Sequence, residues 1–368
     1  LEFICQREEL VRGVATVERA VSTKENMPIL EGIYVRAQGD RLHLVATDLE
    51  MSIECFVPAR VQKEGTAVLS GKMLGQIVRK LAGEEVVYRT GENGVAEIAS
   101  GRSRFTLHTM AGDEFPSLPE VDEDEMGRVS QGALRRMIRH TLFAAATDDS
   151  RPFLTGVFVE LESDEIRLVA TDSNRLAFHK GKLAQPLSQS RSAIVPVRTL
   201  AELMRILEAG EESDVEFIVS QSQAVFRTPN VQVISRVIDG QFPDYRRVFP
   251  KEQPTRVRLD RDEFLAAVER VSLVARRSTP VVRLAVAENI LTLTSREAEV
   301  GQAYEELVVV KEGDDNETAY QSRYLTEALR AMDSDEVELG LGHGLRQGSI
   351  VPVGDSDYLY VVMPVRVG

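Results

Sequence analysis

Apolar and polar residues follow two alternating rhythms along the chain. In six stretches the apolar positions recur every three or four residues, which predicts helices over residues 8–21, 72–81, 131–145, 199–208, 262–275 and 322–332. Leu10, Val14, Val17 and Val21 mark the first apolar stripe, Leu74, Ile77, Val78 and Leu81 the second, and Leu134, Met137, Ile138 and Leu142 the third. Between these stretches apolar and polar residues alternate one by one, the period of half-buried strands. Three predicted hairpins turn at Gly39-Asp40, Ser163-Asp164 and Glu288-Asn289, and an apolar strand over residues 358–367 closes the chain.

One local pattern recurs. LVATDSNRL, residues 168–176, runs apolar into Thr171 and Asp172, turns, and returns as an apolar strand; LVATD at 44–48 has the same form, and LTLTS at 291–295 is a degraded copy. Thr47 and Thr171 are 124 positions apart, and Thr171 and Thr294 are 123 apart. The helix–strands–helix–strands order also occurs three times. This is a repeat of whole domains rather than of short solenoid units. An acidic run at 122–125 and a stretch over 250–255 read as linkers, giving domains over 1–121, 127–250 and 255–368. The expected class is α+β, in three domains of ordinary size.

The net charge of −14 argues at first against nucleic acid, since phosphate binding is driven by Lys and Arg. The signs, however, are segregated along the chain. Acidic residues crowd connectors such as 122–125 and 312–317, while the predicted helices carry basic residues off their apolar faces. These are Arg7, Arg12 and Arg19; Lys72, Arg79 and Lys80; Arg135, Arg136 and Arg139; Arg198 and Arg205; Arg270, Arg276 and Arg277; and Arg323 and Arg330. In one helix such arginines are a solvated face. Their recurrence in an acidic protein points to a shared basic surface that touches phosphates without reading bases.

Enzyme signatures are absent. The stretch from Gly65 to Lys72 has one residue too many for a phosphate loop and Met73 in place of the metal-binding hydroxyl, and residues 340–344 lack dinucleotide spacing. His43, His108, His140, His179 and His343 are scattered, with none at metal-ligand spacing. Cys5 and Cys55 lie in apolar runs, which suits buried thiols in a reducing cytosol, a single bridge between them being the alternative. No apolar run is long enough for a membrane helix, and charge from the second residue onward argues against a secretory leader, so a cytoplasmic protein is expected. The competing reading is a monomeric multi-domain α+β enzyme acting on nucleotides or sugar phosphates through carboxylates that need no local signature.

Several segments, in order, resemble the bacterial sliding clamps, the β subunit of DNA polymerase III: MPIL (27–30), LVATDLE (44–50), GRSRF (101–105), residues 168–176, DGQFPDYRRV (239–248) and YVVMPVR (360–366). The resemblance covers essentially the whole chain. It implies three domains of the DNA-clamp fold, with helices inside and antiparallel sheets outside, and a head-to-tail homodimeric ring around double-stranded DNA. Such a ring binds DNA independently of sequence, needs no cofactor or metal, and performs no catalysis. It tethers the DNA polymerase III catalytic subunit, the clamp loader, and other DNA polymerases and repair proteins.

By matching position, the resemblance implies a partner-peptide pocket between the second and third domains. Its residues would be Leu154, Thr171, Ser173, Asn174, Arg175, Leu176, Pro243, Arg247, Val248, Tyr324, Val361, Met363, Pro364, Val365 and Arg366. Ser173-Asn174 stand where clamps often carry Gly-His, and Thr279 replaces an aromatic residue of the rim. The DNA-facing set would be the basic residues Arg7, Arg12, Lys72, Arg79, Lys80, Arg135, Arg136, Arg139, Arg198, Arg205, Arg276 and Arg277, with Lys24 on a loop; Asp148 stands where the family has a polar amide. At the ring joint Phe105 and Leu107 of one chain would meet Leu273 and Val274 of the other.

Overall fold

Hairpin turns form where the polar pairs interrupt the alternating runs. In the computed structural model, which describes residues 1–23, 27–91, 94–121, 125–210, 213–275 and 280–366, strands Gly32–Gln38 and Arg41–Thr47 pair around Gly39-Asp40. Strands Gly156–Glu162 and Glu165–Thr171, and Val281–Ala287 and Ile290–Glu297, do the same around their predicted turns. The first turn residue takes a left-handed conformation in each case: φ is 63° at Gly39, 55° at Ser163 and 51° at Glu288.

The six helices also form. They are α1 (Arg7–Val17), α2 (Gly71–Lys80), α3 (Gln131–Thr141), α4 (Val197–Ile206), α5 (Arg261–Val271) and α6 (Ser322–Ala331). Leu10, Val14 and Val17 of α1, Leu74, Ile77 and Val78 of α2, and Leu134, Met137 and Ile138 of α3 are buried, as their spacing predicts. Ser70 caps α2 and Asp260 caps α5, the latter accepting the Glu263 N–H at 2.8 Å. After α1, α3 and α5 the chain tightens into 3₁₀ turns over Glu18–Ala20, Leu142–Ala144 and Ser272–Ala275, so the apolar period continues past the α-helix proper. Helix α4 stops at Ile206, one residue before its apolar pattern ends at the buried Leu207.

All strand pairing is antiparallel among the described residues, in sheets of 13, 9 and 4 strands. The chain divides into two compact units, one of Leu1–Gln131 with Arg205–Val237, the other of Gly132–Met204 with Ile238–Gly368. The first holds the 13-stranded sheet and the second the other two. Strand pairing explains why there are two units for three repeats. Strand Met51–Pro58 pairs with Val231–Arg236, and strand Arg175–Lys182 pairs with Tyr358–Val362, so the 13- and 9-stranded sheets each run on from one repeat into the next. No described helix is long and apolar enough to cross a membrane.

Two expectations need correction. The closing strand ends at Val362, not 367, because Pro364 has no N–H for a ladder. Beyond it the Met363 N–H reaches the Asn174 carbonyl and the Val365 N–H the Ala319 carbonyl, each at 2.8 Å. The degraded third motif forms no turn, since strand Ile290–Glu297 runs straight through Thr294 and Ser295, which pair with Tyr304 and Ala303. Both cysteines are free and buried. Burial, then Glu85, pushes the Cys5 thiol up to about 12, and burial, then Glu9, pushes Cys55 to about 11, so both are protonated and inert.

Candidate functional site

The recurrent LVATD motif is a side-chain-built turn. Asp172 Oδ1 accepts the N–H groups of Asn174 (2.9 Å) and Arg175 (3.1 Å), while Thr171 Oγ1 accepts the Ser173 N–H at 3.1 Å and donates to the Arg175 carbonyl at 2.6 Å. Ser173 is thereby held at φ 78°. The first copy is the same device: Asp48 accepts from Glu50 and Met51, Thr47 accepts from Leu49, and Leu49 has φ 74°. The third stretch has Ser295 where the others have Asp, so no carboxylate is there to gather the turn.

What the second turn positions is Arg175. Its side chain is almost wholly buried, yet its guanidinium is matched on every side: Nε donates to Asp172 at 3.1 Å, Nη1 to Glu327 at 2.5 Å, and Nη2 to the Phe143 carbonyl at 2.7 Å. The ring of Tyr324 lies against it, with that of Phe143 farther off. Burial would raise the Glu327 carboxyl, but hydrogen bonds from Arg323 and Arg175 hold it below its ordinary 4.5. Arg175 therefore ties the 172–175 turn to α6 and leaves little donor capacity for a ligand.

Around this anchor lies an apolar surface. Leu154, Leu176 and Val361 share a buried cluster with Ala146, Val169, Ile194, Phe242 and Tyr245, and Phe153, Phe178 and Phe249 pack against it. Phe158 stacks on Phe242 with centroids 4.9 Å apart, and Phe249 meets Phe178 edge-on at 5.2 Å. Tyr245 donates to Glu160 at 2.8 Å, which fixes the 3₁₀ turn Tyr245–Val248. Thr171 and Tyr324 are buried; Met363, Pro364 and Val365 are partly open; Ser173, Asn174, Pro243, Arg247, Val248 and Arg366 are exposed.

Sequence reading did not single out several of these neighbours. Tyr245, Phe242 and Phe249 supply aromatic floor, and the FPDY string at 242–245 was the available signal. Arg151 donates to the Ser173 hydroxyl at 2.6 Å, a link nothing in the local sequence announces. Beside the pocket, Arg247, Phe249, Lys251, Glu252, Arg346 and Gln347 line a groove of about 350 Å³.

The predicted basic residues lie on helix surfaces, and acids temper them. In the first unit Arg12 pairs with Glu9, and Arg79 grips Glu18 through two bonds of 2.7 and 3.2 Å. Arg7 is 3.9 Å from Glu8, and Lys72, Lys80 and Arg205 are exposed. In the second unit Arg135, Arg136, Arg139 and Arg198 are exposed, and Arg139 pairs with Asp333. Burial, then the charges of Arg135 and Arg136, lowers the Arg139 guanidinium. Lys24, Arg276, Arg277 and Thr279 lie outside the described residues.

Two of the open strand edges lie beside the residues expected at the ring joint. Strand Ser103–Met110 pairs fully with Val95–Ser100 on one side, but on the other only Thr109 and Met110 meet Val68 and Leu69. That leaves the edge around the half-buried Phe105 and Leu107 open. In the second unit strand Gly301–Val308 borders the four-stranded sheet and carries the exposed Tyr304 and Val308. Leu273 is 51% exposed and Val274 half-buried.

Comparison with known proteins accounts for this layout. Three family models of the DNA polymerase III beta subunit match in order: the N-terminal domain over residues 1–119, the central domain over 128–244 and the C-terminal domain over 246–366. A beta sliding clamp of Staphylococcus aureus is 33% identical over 376 aligned positions, covering 100% of this chain and 99% of its own length; one from Bacillus subtilis is 32% identical, with both chains fully covered. The crystal structure of a DNA polymerase sliding clamp from Bacillus subtilis superposes with a TM-score of 0.95 at 31% identity, over 100% of this chain and 99% of that one. With all three domain models matched and relatives of this identity along its whole length, the chain belongs to the DNA polymerase III beta subunit family, the beta sliding clamps.

Proposed function

We propose that the chain is the processivity factor of a replicative DNA polymerase: two copies close head to tail into a ring that encircles duplex DNA and slides along it. Partners dock by short peptides in the pocket around Arg175. Those partners are the DNA polymerase III catalytic subunit, the clamp loader, and other DNA polymerases and repair proteins, all working in the cytoplasm. The domains are read as 1–121, 127–250 and 255–368. The clamp itself catalyses nothing, and family membership displaces the alternative of a monomeric nucleotide or sugar-phosphate enzyme.

The observation that carries the pocket reading is the join of the Asp172–Arg175 turn to residues beyond Val362. The Met363 N–H bonds to the Asn174 carbonyl, so Met363, Pro364 and Val365 are held, partly open, beside a floor of Leu154, Leu176 and Val361. An ordered edge rich in Met, Pro and Val, with exposed Arg247 and Arg366 nearby, suits a peptide that brings apolar anchors and an acidic or polar flank. The open edge at 103–108 and the border strand Gly301–Val308 support the ring, because pairing one with the other across two chains would cover both.

The acid-tempered arginines favour weak, sequence-independent phosphate contacts. A closed ring needs no more, since topology retains the DNA while a tethered polymerase rebinds at high local concentration. Retention on circular against linearised DNA, after assembly with a clamp loader, tests the reading. Retention on circles with loss from cut ends is expected; equal release from both would defeat it.

A further inference from the structure

Two histidines that lie 39 positions apart come together in the second unit. His140 at the end of α3 and His179 on strand Arg175–Lys182 are buried, 2% and 4% exposed, and their Nδ1 atoms are 3.0 Å apart. Burial lowers both imidazoles, to about 3 for His140, where His179 and Arg139 add to it, and to about 4 for His179, where Asp355 opposes it, so both rings are neutral at physiological pH. The half-buried Asp355 adds a carboxylate, and one donor atom from each of the three residues lies within 4.8 Å of the other two. Their separation in sequence hid this cluster from any spacing rule.

Apolar surroundings explain why the pair is demanding. Tyr358 packs against His140 with ring centres 4.7 Å apart and against His179 at 5.6 Å. In the proton-bridged pair, one ring donates its Nδ1–H to the other, so the donor ring keeps a bare Nε2 lone pair. His140 Nε2 is buried without a hydrogen-bond partner, although Asp333 Oδ2 stands 3.8 Å away. A metal on the two Nδ1 atoms would take the place of the shared proton, which moves to the bare Nε2 and so leaves an N–H on each Nε2. His140 would then point a donor toward the Asp333 carboxylate, the outer-shell arrangement usual for metal-bound histidine.

We propose that His140, His179 and Asp355 form a binding site for a late divalent transition metal, zinc above all, with solvent as the fourth ligand on the Asp355 side. Zinc–nitrogen bonds of about 2.0–2.1 Å require the two Nδ1 atoms to part by only a few tenths of an ångström. Two neutral imidazoles and one carboxylate are also a donor set that zinc favours over magnesium or calcium. Such an ion would pin α3 to the sheet and to the 353–357 loop, acting as a structural clip within this unit.

The test is titration of the full-length, chelator-treated chain with Zn²⁺ by calorimetry, and with Co²⁺ by visible absorption, alongside Asp355→Asn and His140→Gln. Asp355 is on a half-buried loop position, so Asp355→Asn should leave the fold intact even if His140→Gln does not. One ion per chain is expected, with tetrahedral cobalt bands, a higher Tm on metal addition, and affinity at least about tenfold weaker in Asp355→Asn. Absence of saturable zinc uptake would overturn the proposal and leave a proton-bridged imidazole pair. Uptake that is the same in the wild type and Asp355→Asn would overturn it as well, by placing the ion elsewhere.

Discussion

The guanidinium carbon of Arg175 sits 4.6 Å from the centre of the Tyr324 ring. The contact joins the 172–175 turn to α6, and the bonds to Asp172, Glu327 and the Phe143 carbonyl make Arg175 a buried hub. Removing a partner from a buried ion pair leaves charge stranded and costs about 3–5 kcal/mol when the pair is fully enclosed; with Glu327 still partly open, about 3 kcal/mol is expected for Arg175→Met. Lysine cannot rescue it, having neither the flat fork nor the stacking face. A lower urea midpoint and weaker binding of a partner peptide should appear together in Arg175→Met; loss of peptide binding at unchanged stability would recast Arg175 as a direct contact.

The same hub sets an acid limit. Glu327 is held below its ordinary 4.5, with burial opposing and the Arg323 and Arg175 bonds prevailing. A carboxyl more acidic in the fold than in the unfolded chain contributes stability above about pH 4.5, and that contribution is lost as pH falls through the folded value. Glu160 behaves alike: burial opposes, while bonds from Tyr245, Arg167 and Arg246 prevail. The Tm of the wild type should therefore fall steeply between about pH 5 and 3. Glu327→Gln should start lower at pH 7 and show a shallower slope, and parallel curves for the two proteins would remove Glu327 from the acid transition.

Much of this architecture was legible because its signals are local. Asp172 and Thr171 build their turn with atoms at most four residues away, and Asp48 with Thr47 repeats it, so the LVATD string predicts the geometry. The helix stripes likewise declare buried positions by spacing alone. What stayed hidden depends on distant partners. Glu327 reaching Arg175, Arg151 reaching Ser173, and His140 meeting His179 are tertiary events between residues that carry no shared pattern. The closing strand was read as too long because the apolar run continues through Val365. Hydropathy there reports burial, whereas the missing N–H of Pro364 decides where the ladder stops.

Met363 tests the pocket separately from the hub. It is half-buried, its N–H holds the turn at Asn174, and its flexible thioether is the kind of side chain that adapts to an apolar ligand. Met363→Ala keeps that backbone bond and removes only the side chain. Partner-peptide affinity should fall about tenfold, near the 1.4 kcal/mol that one anchor contact carries, with the ring still assembled on sizing. Unaltered affinity would take Met363 out of the pocket.

The proposed ring joint would rest on strand edges rather than on a deep core. Leu273 is 51% exposed beside the border strand Gly301–Val308, and Phe105 and Leu107 are half-buried on an open edge. A charge in the middle of such a contact has no partner and must be desolvated, so Leu273→Asp should shift the dimer toward monomer by at least about a hundredfold in dissociation constant. Sedimentation velocity across a dilution series reads this directly. A dimer as tight as the wild type would mean that Leu273 faces solvent in the assembly.

Arg135, Arg136 and Arg139 decide whether α3 faces DNA. Burial, with the charges of Arg135 and Arg136 adding to it, depresses the Arg139 guanidinium, and Asp333 pairs with Arg139. Three arginines this close repel one another, and a bound polyanion would relieve that repulsion. Each lysine or arginine that neutralises a phosphate contributes about 0.9 to the slope of log affinity against log salt. Replacing all three by glutamate should therefore flatten the salt dependence of the loaded clamp by up to about 2.7 and shorten its residence on circular DNA. If the slope and residence are those of the wild type, α3 turns its arginines to solvent, and the DNA path must be sought on the other helices.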